Sequence, residues 1–411
     1  MLTFDPPSLR DDLAKALTQL EDIVCYEGYP FHNDTFDPSS YDDEVITTQT
    51  TFQCGLDSSE NSLPEITVAE ILEWARSLAE DRLTNRTTLR TPTKTLVYVE
   101  PTAITSSTDL MAADTTLTVQ VDGIQLQAKL RFSQTLFAVH IEAEGLNDHH
   151  LSSFYDETCL VEVTHAPKTS SELVDSIVTA YLYEMASSAQ ICLAVRPYPY
   201  ITYDEDEDTS DAPTTADKPR LRPLQWDRGL LDVYKLFLDG CSADPAQYAL
   251  IHFVKIVEYV SATVVRQARH ACLRQRLLGR QALTPDAAFL DGLCDLLEEQ
   301  RIFKKDSEAV KLTLRTCCDP LLLSSDAPAC VPLLKKLKST DETKKSQAAI
   351  DELADVLSAT RNQLLHAKPN YTCTGQECPP DQIDELTYCA RTAADQVIRW
   401  FVQLPAHARL C

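Results

Sequence analysis

The chain has 411 residues, 44% of them apolar, and a formal net charge of -25 at pH 7. This length is enough for two or three domains with sizeable cores. The negative charge argues against a general nucleic-acid coat protein or a membrane-surface protein, because both classes usually need net positive charge. We find no apolar run of roughly 18 residues that would span a membrane and no signal-peptide pattern, so we expect a cytoplasmic protein.

Two amphipathic helices are predicted near the N-terminus, at residues 10–24 and 67–83. Thr67 precedes the second apolar pattern and Glu70 follows three residues later, which is the spacing of a capping box. Strand-like runs of alternating or β-branched residues come next. These runs cover residues 94–101, 116–123, 124–132, 136–144 and 159–165.

The sequence Val-Asp-Gly, within residues 119–124, predicts a hairpin turn between two of these strands. Alternation in the flanking runs predicts an antiparallel sheet with one solvated face. A further helix is predicted at residues 171–188, and residues 191–200 are expected to add an edge strand. We therefore predict an α+β domain over residues 1–202. It carries no chemical motif that we recognise, and we interpret it as a sensor or interaction domain.

Residues 203–224 are acidic and proline-bearing and lack apolar periodicity, which predicts a linker or an exposed loop. Beyond them the strand signals disappear and helical periodicity continues to the end of the chain. The predicted helices are 229–238, 245–278, 286–304, 307–317, 348–367 and 381–403. Residues 225–411 are therefore predicted to form an all-α domain.

The chain contains 14 cysteines. Because no signal peptide is recognised, we expect most of them to be reduced thiols. The adjacent pair Cys317-Cys318 and the pair Cys373 and Cys378 both lack zinc-finger spacing, so no metal site and no cofactor is predicted. The alternative is a secreted, disulfide-linked protein, which would have no free thiols.

An arginine and a glutamate stand on the apolar faces of two predicted helices. On a helical wheel of about 100° per residue, Arg361 falls inside the apolar arc of helix 348–367, and Glu258 falls inside that of helix 245–278. A lone ion in such a place would cost several kcal/mol, so each charge needs a partner. We therefore predict that Arg361 and Glu258 form an ion pair.

Two interpretations of this pair remain open. In the first, the pair is structural and His366 is a surface histidine near the helix end. In the second, Arg361 stabilises the charge on a phosphorane-like transition state, because its fork of N–H donors fits phosphate oxygens. His366 then moves protons, and Asn362 orients either His366 or a phosphate oxygen.

The second interpretation is favoured by a resemblance. The sequence Arg-Asn-Gln-Leu-Leu-His at residues 361–366 matches the Arg-Asn-x-x-x-His signature of the HEPN superfamily. Residues 248–260 and the C-terminal end of the chain also resemble bacterial HEPN proteins, over residues 226–405 in all. The resemblance implies an HEPN-like helical bundle, usually a homodimer, with Arg361 and His366 catalytic, Asn362 in support and Glu258 holding Arg361.

The same resemblance implies a metal-independent endoribonuclease that cleaves RNA by attack of the 2'-hydroxyl, acting in anti-phage defence. A phage-derived trigger would then bind the N-terminal domain. A dimer would bring two copies of the motif together and so supply both an acid and a base. The alternative is a non-catalytic HEPN module that dimerises or binds RNA without cutting it.

Four further residues are candidate RNA contacts: Lys368, Tyr371, Arg266 and Arg269. The two arginines open a basic run that continues with Arg274, Arg276 and Arg280 and is of the kind that follows a phosphate backbone. A solvated helix face explains the same run equally well. Tyr371 is suited to stacking on a base, although an aromatic residue after a helix end more often serves packing. Only nine glycines occur in the chain, which argues against a P-loop or a Rossmann domain.

Overall fold

The chain folds into two units, each with its own core. The computed structural model describes residues 3–24, 45–53, 65–102, 115–132, 136–144, 159–198, 221–227, 229–299, 306–339, 342–365 and 375–410. One unit comprises Met1–Val178 and Ala194–Pro223 and is called the sheet unit below. The other comprises Thr179–Leu193 and Leu224–Cys411 and is called the helical unit. Residues 179–193, which the sequence analysis placed in the N-terminal domain, thus belong to the helical unit.

The sheet unit is an α/β arrangement, in agreement with the predicted α+β class. Its strands and helices, in chain order, are β1 (Thr3–Phe4), α1 (Leu9–Val24), β2 (Val45–Ile46), β3 (Thr51–Gln53), β4 (Glu65–Thr67), α2 (Val68–Glu80), β5 (Leu83–Thr84), β6 (Thr88–Arg90), β7 (Lys94–Pro101), β8 (Leu117–Val121), β9 (Ile124–Phe132), α3 (Leu136–Ala143), β10 (Cys159–Thr164), α4 (Ser171–Glu184) and β11 (Leu193–Val195). A π-helix, Met185–Ala189, continues α4. The chain enters the helical unit at Thr179, so the end of α4 and this π-helix belong to that unit.

The main sheet has the strand order β5-β6-β7-β10-β9-β8, and β11 pairs with β7. β7, β10, β9 and β8 pair antiparallel, as predicted. Asp122 and Gly123 form the predicted hairpin turn. Their φ angles are +49° and +80°, as a type I′ turn requires of its two central residues. The expected solvated face is present in β8, where burial alternates, but not in β7, where Thr95–Val99 are all buried. Strands at the centre of the sheet are therefore covered on both faces.

The predicted capping box of α2 is confirmed. The backbone N–H of Glu70 donates to Thr67 Oγ1, and the backbone N–H of Thr67 donates to a carboxylate oxygen of Glu70. Two N–H groups that the first helical turn would leave unpaired are thereby satisfied.

The strand predicted at residues 136–144 is wrong, because Leu136–Ala143 forms the helix α3. Its apolar residues follow one another without a clear period, so periodicity alone does not separate a buried strand from a buried helix. In the sheet unit α3 packs against α1 and α2, and the described side chains of Phe137, Val139 and Ile141 are fully buried. Burial on all sides, rather than alternation, is the reason for the apolar run.

The helical unit confirms the predicted largely helical C-terminal part. Its helices are α5 (Leu231–Ser242), α6 (Ala246–Leu277), α7 (Ala287–Glu299), α8 (Asp306–Cys317), α9 (Pro320–Ser325), α10 (Pro332–Lys335), α11 (Thr343–Leu365) and α12 (Ile383–Val402). The long helix α6 lies at the centre and packs against α5, α8, α11 and α12. α5 starts two residues later and ends four residues later than predicted.

Among the described residues, one helix is long and apolar enough to cross a membrane by length and composition. It is α6, with a mean hydropathy of 1.4 over an 18-residue window. The expectation that no segment could span a membrane is therefore wrong for α6 by length and composition alone. That window is 56% buried inside the structure, and the burial explains the hydropathy, because the central helix of a bundle is apolar over much of its circumference.

Candidate functional site

The candidate site lies at the C-terminal end of α11. Earlier in this helix Ile350, Leu353 and Leu357 are buried and fix which face is turned to the core. Arg361 follows on that face, as predicted. The apolar arc does not stay covered to the helix end, however, because the side chain of Leu365 is 43% exposed. Arg361 therefore stands where the buried face of α11 approaches solvent.

The predicted ion pair between α6 and α11 is present. Arg361 Nη2 lies 3.2 Å from Glu258 Oε2, and the two side chains are 23% and 26% exposed. Charge-assisted N–H···O bonds are typically about 2.7–2.9 Å long, so this pair is a loose one. The guanidinium is neither locked in the interior nor spread on the surface.

Arg361 is also held by its neighbour in sequence. Its Nη1 donates to Asn362 Oδ1 at 3.1 Å. A guanidinium has five N–H donors in a rigid fork, and the buried Nε–H has no acceptor among the described residues. Glu258 and Asn362 thus fix the orientation of the fork without saturating it.

Glu258 is not an ordinary surface carboxylate. Burial raises its pKa above the usual value, and the nearby charge of Arg361 offsets part of this rise. Asp306 adds to the rise and Lys255 opposes it. Arg361 therefore favours the ionised form of the carboxylate, which is the relation expected of a residue that holds the arginine in place.

A tether that the sequence analysis missed lies one residue before Arg361. Thr360 Oγ1 accepts a hydrogen bond of 2.9 Å from the backbone N–H of Cys378, and both groups are buried. Cys378 Sγ is in turn 3.6 Å from Cys330 Sγ. The chain that follows the motif is thereby returned to α11 at the level of Arg361. No local signal announces this contact, because it joins residues 18 positions apart.

Three of the predicted site residues, His366, Lys368 and Tyr371, lie outside the described residues. The structure therefore places Arg361, Asn362 and Glu258 together and gives no position for the histidine.

The two arginines predicted to contact RNA are found on the later part of α6. Arg266 Nη2 donates to the backbone carbonyl of Ala408, so at least one of its donors serves packing of the C-terminal segment. Arg269 is half-buried on the same helix. Beyond them Arg274, Arg276 and Arg280 are exposed. The exposed arginines of the basic run thus begin at Arg274, after the two residues that we predicted to contact RNA.

The described part of the chain contains neither a metal-binding cluster nor a disulfide. No group of three or more His, Cys, Asp or Glu side chains there has a metal-binding arrangement. Every described cysteine is a free thiol.

Comparison with known proteins gives no relative: no family model, no curated protein and no solved structure matches this chain.

Proposed function

We propose that this protein is a metal-independent endoribonuclease of the HEPN type that acts as a cytoplasmic homodimer in anti-phage defence. The observation that supports the proposal best is the state of Arg361. Its partly exposed guanidinium is oriented by Glu258 and Asn362, and in the sequence it begins the Arg-Asn-x-x-x-His pattern. An arginine that is fixed but not saturated is suited to bind a phosphate that becomes more negative in the transition state.

In this mechanism the ribose 2'-hydroxyl attacks the adjacent phosphorus. The new P–O bond closes a 2',3'-cyclic phosphate, and the bond to the 5'-oxygen of the next nucleotide breaks. His366 of one protomer removes the 2'-hydroxyl proton, and the partner subunit's His366 protonates the leaving 5'-oxygen. Arg361 stabilises the charge that accumulates on the phosphate oxygens, and Asn362 keeps the guanidinium in position. Lys368, Tyr371, Arg266 and Arg269 would help to hold the RNA.

The second candidate function is a non-catalytic HEPN module that dimerises or holds RNA. It is favoured by the ion pair itself, because a guanidinium that neutralises Glu258 has a sufficient structural reason to be there. The two functions differ in what they require of the fork. A structural pair needs the charge of Arg361, whereas transition-state binding also needs its free N–H groups.

The experiment is RNA cleavage by purified full-length protein in EDTA, with sequencing of the RNA ends. Wild type is expected to give 2',3'-cyclic phosphate and 5'-hydroxyl ends, and Arg361→Ala and His366→Ala are expected to give none. Arg315→Ala is the matched control, because it also breaks an arginine–carboxylate pair in the helical unit, with Asp351. RNA binding without cleavage by the wild type, in the presence of phage components as well as their absence, would establish the non-catalytic module.

A further inference from the structure

A second polar site lies in the helical unit, away from the residues of the proposed ribonuclease site. It is a cleft of about 280 Å³ between α12, the π-helix Met185–Ala189 and the end of α9. Its polar lining includes Arg391, Asp395, Gln396 and Arg399 of α12 and Ser187 of the π-helix. A cavity of this size accepts a small organic molecule.

Two carboxylates line the cleft, Asp326 and Asp395. Asp326 accepts hydrogen bonds from the hydroxyl groups of Thr392 and Ser325, and Asp395 also has its partners. Its Oδ1 accepts hydrogen bonds from the hydroxyl groups of Tyr183 and Ser187. Its Oδ2 forms an ion pair of 2.6 Å with Arg399 Nη2. Burial raises the pKa of Tyr183 well above its usual value, so this phenol stays a donor. Asp395 and Arg399 therefore cancel each other and add little net charge to the cleft.

Arg391 is different, because its positive charge has no carboxylate within ion-pair distance in the described part of the chain. Its Nη2 donates to the carbonyl of Ala186 at 3.0 Å and to Cys192 Sγ at 3.2 Å, both uncharged groups. The guanidinium lies 5.9 Å from the ring centroid of Phe237, which is within the range of a cation–π contact. A half-buried cation left in this state favours an oxyanion as its partner.

The carboxamide of Gln396 supplies an independent indication. Its Oε1 accepts a hydrogen bond of 2.6 Å from the backbone N–H of Asp319. This bond identifies which end of the amide is the oxygen, because the opposite assignment would set two donors against each other. The Nε2 group is therefore a true donor, it is buried, and no acceptor for it occurs among the described residues. A buried donor without a partner costs about 1–3 kcal/mol, which a bound acceptor would recover.

We propose that this cleft binds a small organic oxyanion, a phosphate monoester or a carboxylate, through Arg391 and the amide of Gln396. Tyr388, whose side chain is 53% exposed at the cleft, offers an aromatic face to a planar group of the same ligand. A nucleoside 5'-monophosphate has this combination of oxyanion and ring. The proposal does not use Arg361 or His366 and so stands independently of the ribonuclease mechanism.

The test uses full-length protein and calorimetric titration with four probes: adenosine 5'-monophosphate, adenosine, inorganic phosphate and benzoate. Gln396→Glu is the central variant. Its carboxylate still accepts from the backbone of Asp319, so the fold is kept, but the unpaired donor of this lining residue is replaced by a negatively charged oxygen. Gln382→Glu is the matched control, because Gln382 Oε1 likewise accepts from a backbone N–H, that of Cys330, and does not line the cleft.

We expect adenosine 5'-monophosphate or benzoate to bind wild type and Gln382→Glu alike, and to bind Gln396→Glu roughly 10- to 100-fold more weakly. Arg391→Gln is expected to weaken binding by a similar factor. Phosphate-ester binding without benzoate binding would assign the ligand as a phosphate, and the reverse would assign a carboxylate. Binding that neither Gln396→Glu nor Arg391→Gln weakens, binding of adenosine alone, or no binding by any probe at millimolar concentration would overturn the proposal.

Discussion

A buried polar network in the sheet unit and the Arg361–Glu258 pair in the helical unit both lie beside apolar residues, and they differ in completeness. In the sheet unit Ser77 donates to Asp81 at 2.6 Å, so its hydroxyl oxygen is left to accept the Nε2 proton of His140 at 3.1 Å. Ser77 and His140 are both buried. In the helical unit Arg361 is partly exposed, holds Glu258 at 3.2 Å and keeps a buried Nε–H without a described acceptor.

This difference separates a structural polar network from a candidate site. A buried network in which the available bonds are made stabilises one arrangement and leaves nothing for a ligand. A charged group that is oriented but still has donors to give retains binding capacity, at some cost in stability. Histidine beside serine and aspartate looks more like a catalytic set than arginine beside glutamate does. The serine and the histidine are buried and bonded to each other, whereas the arginine is partly exposed and keeps an unpaired donor. The arginine is therefore the better candidate for binding a ligand.

The comparison is tested most strongly by Arg361→Lys. Lysine keeps the positive charge beside Glu258 and loses the planar fork. If the site is catalytic, RNA cleavage should fall roughly 100- to 1000-fold, which is the effect of removing one transition-state donor. The melting temperature should stay close to that of wild type. Cleavage rates measured beside those of Arg315→Lys provide the check, since Arg315 forms a comparable pair with Asp351.

An Arg361→Lys variant that cuts RNA at the wild-type rate would show that only the charge is used. The pair would then be structural, like the network in the sheet unit.

The ion pair was predictable from the sequence for a physical reason. Arg361 and Glu258 each stand in an apolar arc, and burial forces charges of opposite sign to find each other. The failures have equally definite causes. The run at 136–144 has no usable period, so its class was decided by its position in the core. The tether from Thr360 to Cys378 and the cleft beside Gln396 depend on contacts between distant segments, which no local pattern encodes.

The second prediction concerns the stability of the sheet unit at low pH. Burial lowers the pKa of His140 from 6.5 to about 4, and Asp81 offsets only part of this. The unfolded chain therefore takes up a proton before the folded one does. The stability that depends on neutral His140 is fully present above pH 6.5. The free energy of unfolding falls as the pH drops toward 4, by about 3 kcal/mol in all and by about 2 kcal/mol at pH 5.

Hydrogen exchange of α2 and α3 at pH 7 and pH 5, corrected for intrinsic rates, measures this loss. His140→Gln keeps a donor for Ser77 and removes the titration, so its protection should change little between the two pH values. The pKa of Glu258 is shifted in the opposite direction, because burial raises it. The contribution of Glu258 to the free energy of unfolding therefore grows as the pH falls through that pKa. An equal acid loss in wild type and His140→Gln would exclude His140 as the cause.

The smallest expected effect is that of Thr360→Val, which removes the tether behind Arg361 and keeps the shape of the side chain. The buried N–H of Cys378 then loses its acceptor, at a cost of about 1–3 kcal/mol. Hydrogen exchange of residues 375–382 should accelerate roughly 10- to 100-fold. Thr316→Val is the control, since the hydroxyl of Thr316 only donates to Leu312 on an exposed helix face.

If residues 375–382 keep their protection, the chain after the motif is positioned by other contacts. If protection is lost and cleavage falls with it, the tether positions the site through the segment that carries His366.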